Sequence, residues 1–165
     1  MRHTLSVLLQ NEAGALSRVT DLFSTRGFNI ESLNVAPTKD YAVSRLTLVT
    51  NGSDETLAQI MKQLSKLVDV VDLRNMTGRD HIIRELALFK LRLTTGTRAQ
   101  LDEMVAEFGG SILAEHEGHF TIEITSSGPR IDGFLESAGK IAETDALVRS
   151  GAMAVSRGAP IGWRG

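Results

Sequence analysis

The sequence predicts an α+β chain built from two small β-α-β-β-α-β units in tandem. Three observations carry this expectation. Short stretches with apolar residues at every second position alternate with stretches in which they recur at every third or fourth. The order strand, helix, strand, strand, helix, strand is run through twice. A polar stretch near residues 75–81 separates the two runs. The repeat is one of architecture, since the halves share no convincing residue-level identity.

Each element has its own warrant. Leu5, Val7 and Leu9 alternate with Thr4 and Ser6, the pattern of a half-buried strand. Gln10 to Gly14 reads as a turn. Leu16, Val19 and Phe23 then mark a helix that stops at Gly27, the residue type favoured just past a helix end. Ile30 to Ala36 is strand-like and Pro37 stops it. Ala42, Leu46 and Leu48 mark a third strand, which ends in the turn Asn51-Gly52-Ser53. Asp54 and Glu55 suit a first helical turn, where carboxylates meet the positive end of the helix dipole. Leu57, Ile60, Met61 and Leu64 form the stripe of that helix, and Leu67 to Leu73 is a fourth strand.

The second run begins with a strand over Ile83 to Leu93. Leu101, Met104, Val105 and Phe108 follow as a helical stripe closed by Gly109-Gly110. A hairpin turns at Glu117-Gly118 between Ser111–Glu115 and His119–Thr125. Ile131, Phe134, Leu135, Ala138 and Ile141 form the last stripe, and Leu147 to Ser156 reads as one final strand. The glycine-rich tail from Arg157 to Gly165 is expected to be loose. The expected domains are therefore 1–76 and 82–165, both ferredoxin-like.

Composition narrows the function. The 165 residues are 42% hydrophobic and 23% charged, an ordinary globular mixture. Two units in a chain of this length are each near the size where a lone core is marginal, so a partner or ligand is expected. A net charge of -2 sets up no field to attract nucleic acid or an anionic membrane. With no cysteine, disulfide and thiolate chemistry are excluded, and a cytoplasmic location is the simplest expectation. The N-terminus runs straight into a strand pattern with no apolar signal segment, and no apolar run approaches a membrane span.

Catalytic constellations are absent from the sequence. There is no Gly-x-Ser-x-Gly, no phosphate loop ending in Gly-Lys-Ser/Thr and no Gly-x-Gly-x-x-Gly. The cluster Glu115-His116-Glu117-Gly118-His119 offers metal-ligating groups, but strand alternation sends His116 away from Glu115 and Glu117, so a solvated turn is the favoured reading. An enzyme built on His116 and His119 would also lack a nucleophile and an oxyanion arrangement. Glu12, Asp54-Glu55 and Asp102-Glu103 lie at helix starts or on exposed faces. The β-α-β-β-α-β order also serves RNA recognition, yet Tyr41 to Leu48 lacks the stacking aromatics and basic start of such modules.

One loop carries a ligand signal. In Leu9-Gln10-Asn11-Glu12-Ala13-Gly14-Ala15-Leu16, a strand hands over to a helix through an Asn and a Gly. A helix N-terminus presents unpaired N–H groups that suit a carboxylate. Gly14 lets a ligand approach the backbone, and Asn11 offers both a donor and an acceptor. Asn29, just after Gly27-Phe28, adds a second amide. Together they fit a zwitterionic amino acid. The residues alone read equally well as an ordinary strand–helix turn with Asn as the cap.

The stretch Arg2 to Val19, RHTLSVLLQNEAGALSRV, resembles the opening of an ACT domain, and more closely that of the regulatory small subunits of bacterial acetolactate synthase (acetohydroxyacid synthase). Arg26 to Thr38, Gln63 to Val70, Arg84-Glu85-Leu86, Arg149-Ser150-Gly151 and Ser156-Arg157-Gly158 continue the likeness, while Ala13, Phe28 and Asn34 depart from it. The resemblance implies a first domain that is an ACT domain, sensing an effector and forming a homodimer. It implies no catalytic residue and no cofactor in this chain. The partner would be a catalytic large subunit holding thiamine diphosphate, magnesium and FAD. This chain would activate it and confer feedback inhibition by a branched-chain amino acid, usually valine. By the same resemblance, Asn11, Gly14, Ala15 and Leu16 would face Asn29 and Ile30 of the other protomer. A stand-alone amino-acid sensor or transcription regulator is the rival role, and the sequence has no helix-turn-helix segment for it.

Overall fold

The structure is a computed structural model that describes residues 1–78 and 80–157. The first unit runs β1 (Arg2–Gln10), α1 (Ala15–Thr25), β2 (Ile30–Pro37), β3 (Val43–Asn51), α2 (Asp54–Leu64) and β4 (Val70–Asn75). Its sheet is antiparallel in the order β2-β3-β1-β4, which leaves β2 and β4 as edges. The second unit runs β5 (His81–Leu93), α3 (Arg98–Glu107), β6 (Ser111–His116), β7 (His119–Ser126), α4 (Gly128–Ala138) and β8 (Ala142–Arg149). The order there is β6-β7-β5-β8, and a short β9 (Met153–Ser156) pairs with β5 off that path. The fold class is thus the expected α+β with two β-α-β-β-α-β units.

Each unit has its own core. In the first, Leu5, Val7 and Leu9 of β1 and Leu46 and Leu48 of β3 meet Val19 and Phe23 of α1 and Ile60 and Leu64 of α2. In the second, Phe89, Leu91, Ile122 and Ile124 meet Leu101, Ile131 and Phe134. Phe134 lies edge-on to both Phe89 and Phe108, with ring centroids 4.8 and 5.5 Å away. Such pairs add about 0.5–1.5 kcal/mol to the burial itself. α2 is capped by Ser53, whose side chain accepts from the Thr56 N–H, and α3 by a full capping box of Thr97 and Gln100.

Two features depart from the expectation. The final strand is not continuous. Ala142–Arg149 pairs with β5, the chain turns at Ser150-Gly151, with Gly151 at φ 79, and only then enters β9. Ala142-Glu143-Thr144-Asp145 has little intrinsic strand preference, and its extended form comes from pairing with β5. Among the described residues, one compact unit comprises Met1–Ile82 and the segment 152–157, and the other is Ile83–Gly151. The Ala154 N–H donates to Thr47 Oγ1 of β3 at 3.4 Å. Ser6, Leu8, Thr47 and Val49, on the sheet face away from the helices, are buried. β1 is therefore buried on both faces rather than half-buried. The expected loose tail lies outside the described residues from Gly158 on.

Candidate functional site

The strand–helix loop after β1 is built by backbone bonds at both ends. The Gln10 N–H donates to the Asp69 carbonyl at 2.8 Å, and the Asn11 N–H to the Ala42 carbonyl at 2.8 Å. Asn11 Nδ2 donates to the Tyr41 carbonyl at 2.9 Å, and this amide does not cap the helix. The N-cap of α1 is Gly14, in the left-handed region at φ 85, and no side chain caps the helix. Of the N–H groups at this helix start, that of Ala15 donates to the Glu12 carbonyl at 3.2 Å.

A groove of about 210 Å³ opens beside this loop. Asn11, Glu12, Ala15 and Leu16 form one wall; Val35, Ala36 and Pro37, at the end of β2, form the other. A larger hollow of about 480 Å³ lies between α2 and β4, lined by Met61, Lys62, Ser65 and Val71, among others, but it contains none of the residues selected above.

Asn29 and Ile30 are elsewhere in the same chain. Ile30 pairs with Thr50, which pairs with His3, whereas Gln10 pairs with Val43. Seven residues along a strand separate the two ends, roughly 23 Å at ~3.3 Å per residue. A single chain therefore brings Asn11, Gly14, Ala15 and Leu16 together and leaves Asn29 and Ile30 at the far end of the sheet. At that end β2 is bulged between Ile30 and Ser32. Glu31 is held there by Arg2 Nε at 2.7 Å and Asn51 Nδ2 at 2.6 Å. Thr50 Oγ1 donates to the Asn29 carbonyl at 2.6 Å, and Asn29 itself is exposed.

The hairpin cluster is otherwise engaged. Glu115 pairs with Arg98, which also lies over the Phe120 ring, and His119 Nε2 is 3.3 Å from Asp145. No group of three metal-ligating side chains occurs among the described residues. Among those residues no helix is long and apolar enough to cross a membrane.

Sequence reasoning missed the pair beneath the loop. Arg18 of α1 donates to Asp69 through Nε at 2.5 Å and Nη2 at 2.7 Å. These hydrogen bonds hold the Asp69 carboxyl below the ordinary carboxylate range, against the opposing effect of its burial. The same bonds raise the pKa of Arg18. The partners are fifty-one residues apart in sequence, and nothing local distinguishes either from a solvated surface charge. Val35 and Pro37 were also missed as lining, because their strand was read only for its apolar pattern.

A β-α-β-β-α-β domain with a glycine-led helix start, followed by a second unit of the same order, has the architecture of an ACT-domain protein. Residues 5–72 match the family model described as an AHAS small subunit-like ACT domain, and residues 84–158 match that of the small subunit of acetolactate synthase. The chain belongs to the acetolactate synthase small-subunit family. It is 44% identical over 158 residues to the acetolactate synthase small subunit of Haemophilus influenzae, covering 96% of this chain and 97% of that one. It is 42% identical, with the same coverage, to the acetolactate synthase isozyme 3 small subunit of Escherichia coli. The crystal structure of the small subunit from Thermotoga maritima superposes with a TM-score of 0.84 at 31% identity, over 96% of this chain and 99% of that one.

Proposed function

We propose that this chain binds the catalytic large subunit of acetolactate synthase, raises its activity and confers feedback inhibition by a branched-chain amino acid, valine first among them. Thiamine diphosphate, magnesium and FAD belong to the large subunit in this reading, and the chain alone turns over no pyruvate. The cytoplasm, where such a biosynthetic enzyme works, is the proposed location.

The observation that carries the reading is the register of the first sheet. β2 is an edge strand, so a copy can add to it. In an antiparallel pairing of β2 with its own copy over its full length, Ile30 of one protomer stands opposite Pro37 of its partner. Pro37 lines the groove that holds Asn11 and Leu16. A two-fold dimer thus brings Asn29 and Ile30 of the second protomer to the loop of the first, closing the 23 Å gap that a single chain leaves. The groove then offers helix N–H groups to a carboxylate, two amides to an ammonium, and Ala15, Leu16 and Val35 to a short branched side chain.

The test is reconstitution with the large subunit and a valine titration of acetolactate formation. Asn29→Ala removes hydrogen bonds to a charged ligand, worth about 1.5–3 kcal/mol each, or roughly ten- to hundredfold in the inhibitory concentration. Light scattering of the free chain should give a dimer of the 17.9 kDa protomer. A monomer at micromolar concentration, or an Asn29→Ala protein inhibited like the parent, removes the shared site.

A further inference from the structure

The strand–helix loop after β1 meets the two residues of one ion pair at its two ends. At its start, the Gln10 N–H is held by the Asp69 backbone carbonyl. At its end, the third guanidinium nitrogen of Arg18, Nη1, lies 3.0 Å from where a Cβ on Gly14 would stand. The other two nitrogens that point inward, Nε and Nη2, grip the two Asp69 oxygens in a fork at 2.5 and 2.7 Å. The Asp69 side chain is 3% exposed and that of Arg18 47% exposed. A buried carboxylate gripped in this way is among the stronger polar contacts a protein makes, and stripping it of its partner is costly. Glycine is therefore favoured at 14 on two counts: its backbone angle, and the tight 3.0 Å approach of Arg18 Nη1 to where a Cβ would stand.

We propose that Arg18 and Asp69 are positioning residues, whose fork holds the Asn11–Gly14 loop in the conformation that takes the effector. Neither touches the ligand. Arg18 acts through the Gly14 turn, and Asp69 through Gln10. This rests on the functional reading above and adds to it the pair that shapes the site.

The pair predicts that affinity depends on the fork and not on charge alone. Arg18→Lys keeps the cation but cannot make two parallel hydrogen bonds. Asp69→Asn keeps the shape but loses the charge. Calorimetric titration of the purified full chain with valine should give a Kd at least tenfold higher for each variant. The double variant should be no weaker than the weaker single, because the two residues act as a unit. Amide hydrogen exchange should quicken at residues 10–14 while Leu46 and Leu48 of β3 keep the protection of the parent. A Kd within twofold of the parent in Arg18→Lys overturns the proposal, and Arg18→Lys decides it alone if Asp69→Asn fails to fold. Exchange that quickens equally across β1 and β3 also overturns it, since the pair would then serve the fold at large. A parent chain that binds neither valine, leucine nor isoleucine defeats the functional reading itself, which the parent's own titration shows before any variant is compared.

Discussion

Replacing Gly14 by Ala adds one methyl group at the point where backbone strain and the buried pair meet, and a second glycine separates the two effects. Gly14 has φ 85, and an added Cβ meets Arg18 Nη1 at 3.0 Å. Gly109, just past α3, has φ 70, and a Cβ there meets nothing within 4 Å. The left-handed conformation costs a non-glycine residue roughly 1–2 kcal/mol, and the stiffer unfolded chain returns about 0.4–1 kcal/mol of that. Each variant should therefore lose about 1 kcal/mol, a fall in melting temperature of about 4–8 °C for a unit of this size. Only at Gly14 must a neighbour also yield by a few tenths of an ångström, and that neighbour is pinned to Asp69. Gly14→Ala should then raise the half-inhibitory valine concentration of the reconstituted enzyme about tenfold, equivalent to ~1.4 kcal/mol, while Gly109→Ala leaves it where it was. Thermal melts and valine titrations of both proteins give the four numbers needed. Equal shifts in inhibition at the two glycines would refute the reasoning, because strain alone would then account for everything.

Two further outcomes follow from the charged pairs. Glu85 is 5% exposed and takes a fork from Arg149 at 2.9 and 2.8 Å, while Asp132 meets the same guanidinium from the solvent side. The Glu85 hydrogen bonds are the main reason the Arg149 pKa is raised. Glu85→Gln should cost the second unit about 2–3 kcal/mol in denaturant unfolding, less than for a fully buried pair because Arg149 is partly solvated; Asp132→Asn should cost under ~1 kcal/mol, and the reverse ranking would contradict the assignment. The second outcome concerns acid. The Asp69 pKa is lowered on folding, so the unfolded chain binds more protons between the folded value and the ordinary one near ~3.9. Its contribution to stability is full above that value and is lost as pH falls through the folded pKa. The stability gap between the parent and Asp69→Asn should accordingly be constant from pH 7 to 5 and narrow as the pH falls below ~3.9; a gap that does not narrow would show that the carboxylate charge plays no part.

The fold was largely legible because its helices and strands carry local periodicity. Leu86 and Leu88 against Phe89 and Leu91 identify β5, and the Glu117-Gly118 turn, with φ 50 and 77, fixes the hairpin of β6 and β7. What escaped depends on distant pairing. Ala142-Glu143-Thr144-Asp145 is a strand only because β5 runs beside it, and Ser6 is buried although nothing around it in sequence is unusual. The site divides the same way. Gly14 announces itself through its residue type and its place between strand and helix. Arg18 and Asp69 do not, because their meaning lies in a contact that only the closed sheet creates.

The bond from the Ala154 N–H to Thr47 has a temporal consequence. In order of synthesis, the second unit is an insertion into the first, which resumes at Ala152. Roughly seventy residues must leave the ribosome after Ile82 before Ala154 can donate to Thr47 of the first sheet. At ~5–20 residues per second that is a wait of about 4–14 s, during which Thr47 lacks that donor. A stop directly after Gly151 would remove both the Ala154 donor to Thr47 and the strand β9 that pairs with β5, and so would reach back to the domain made first.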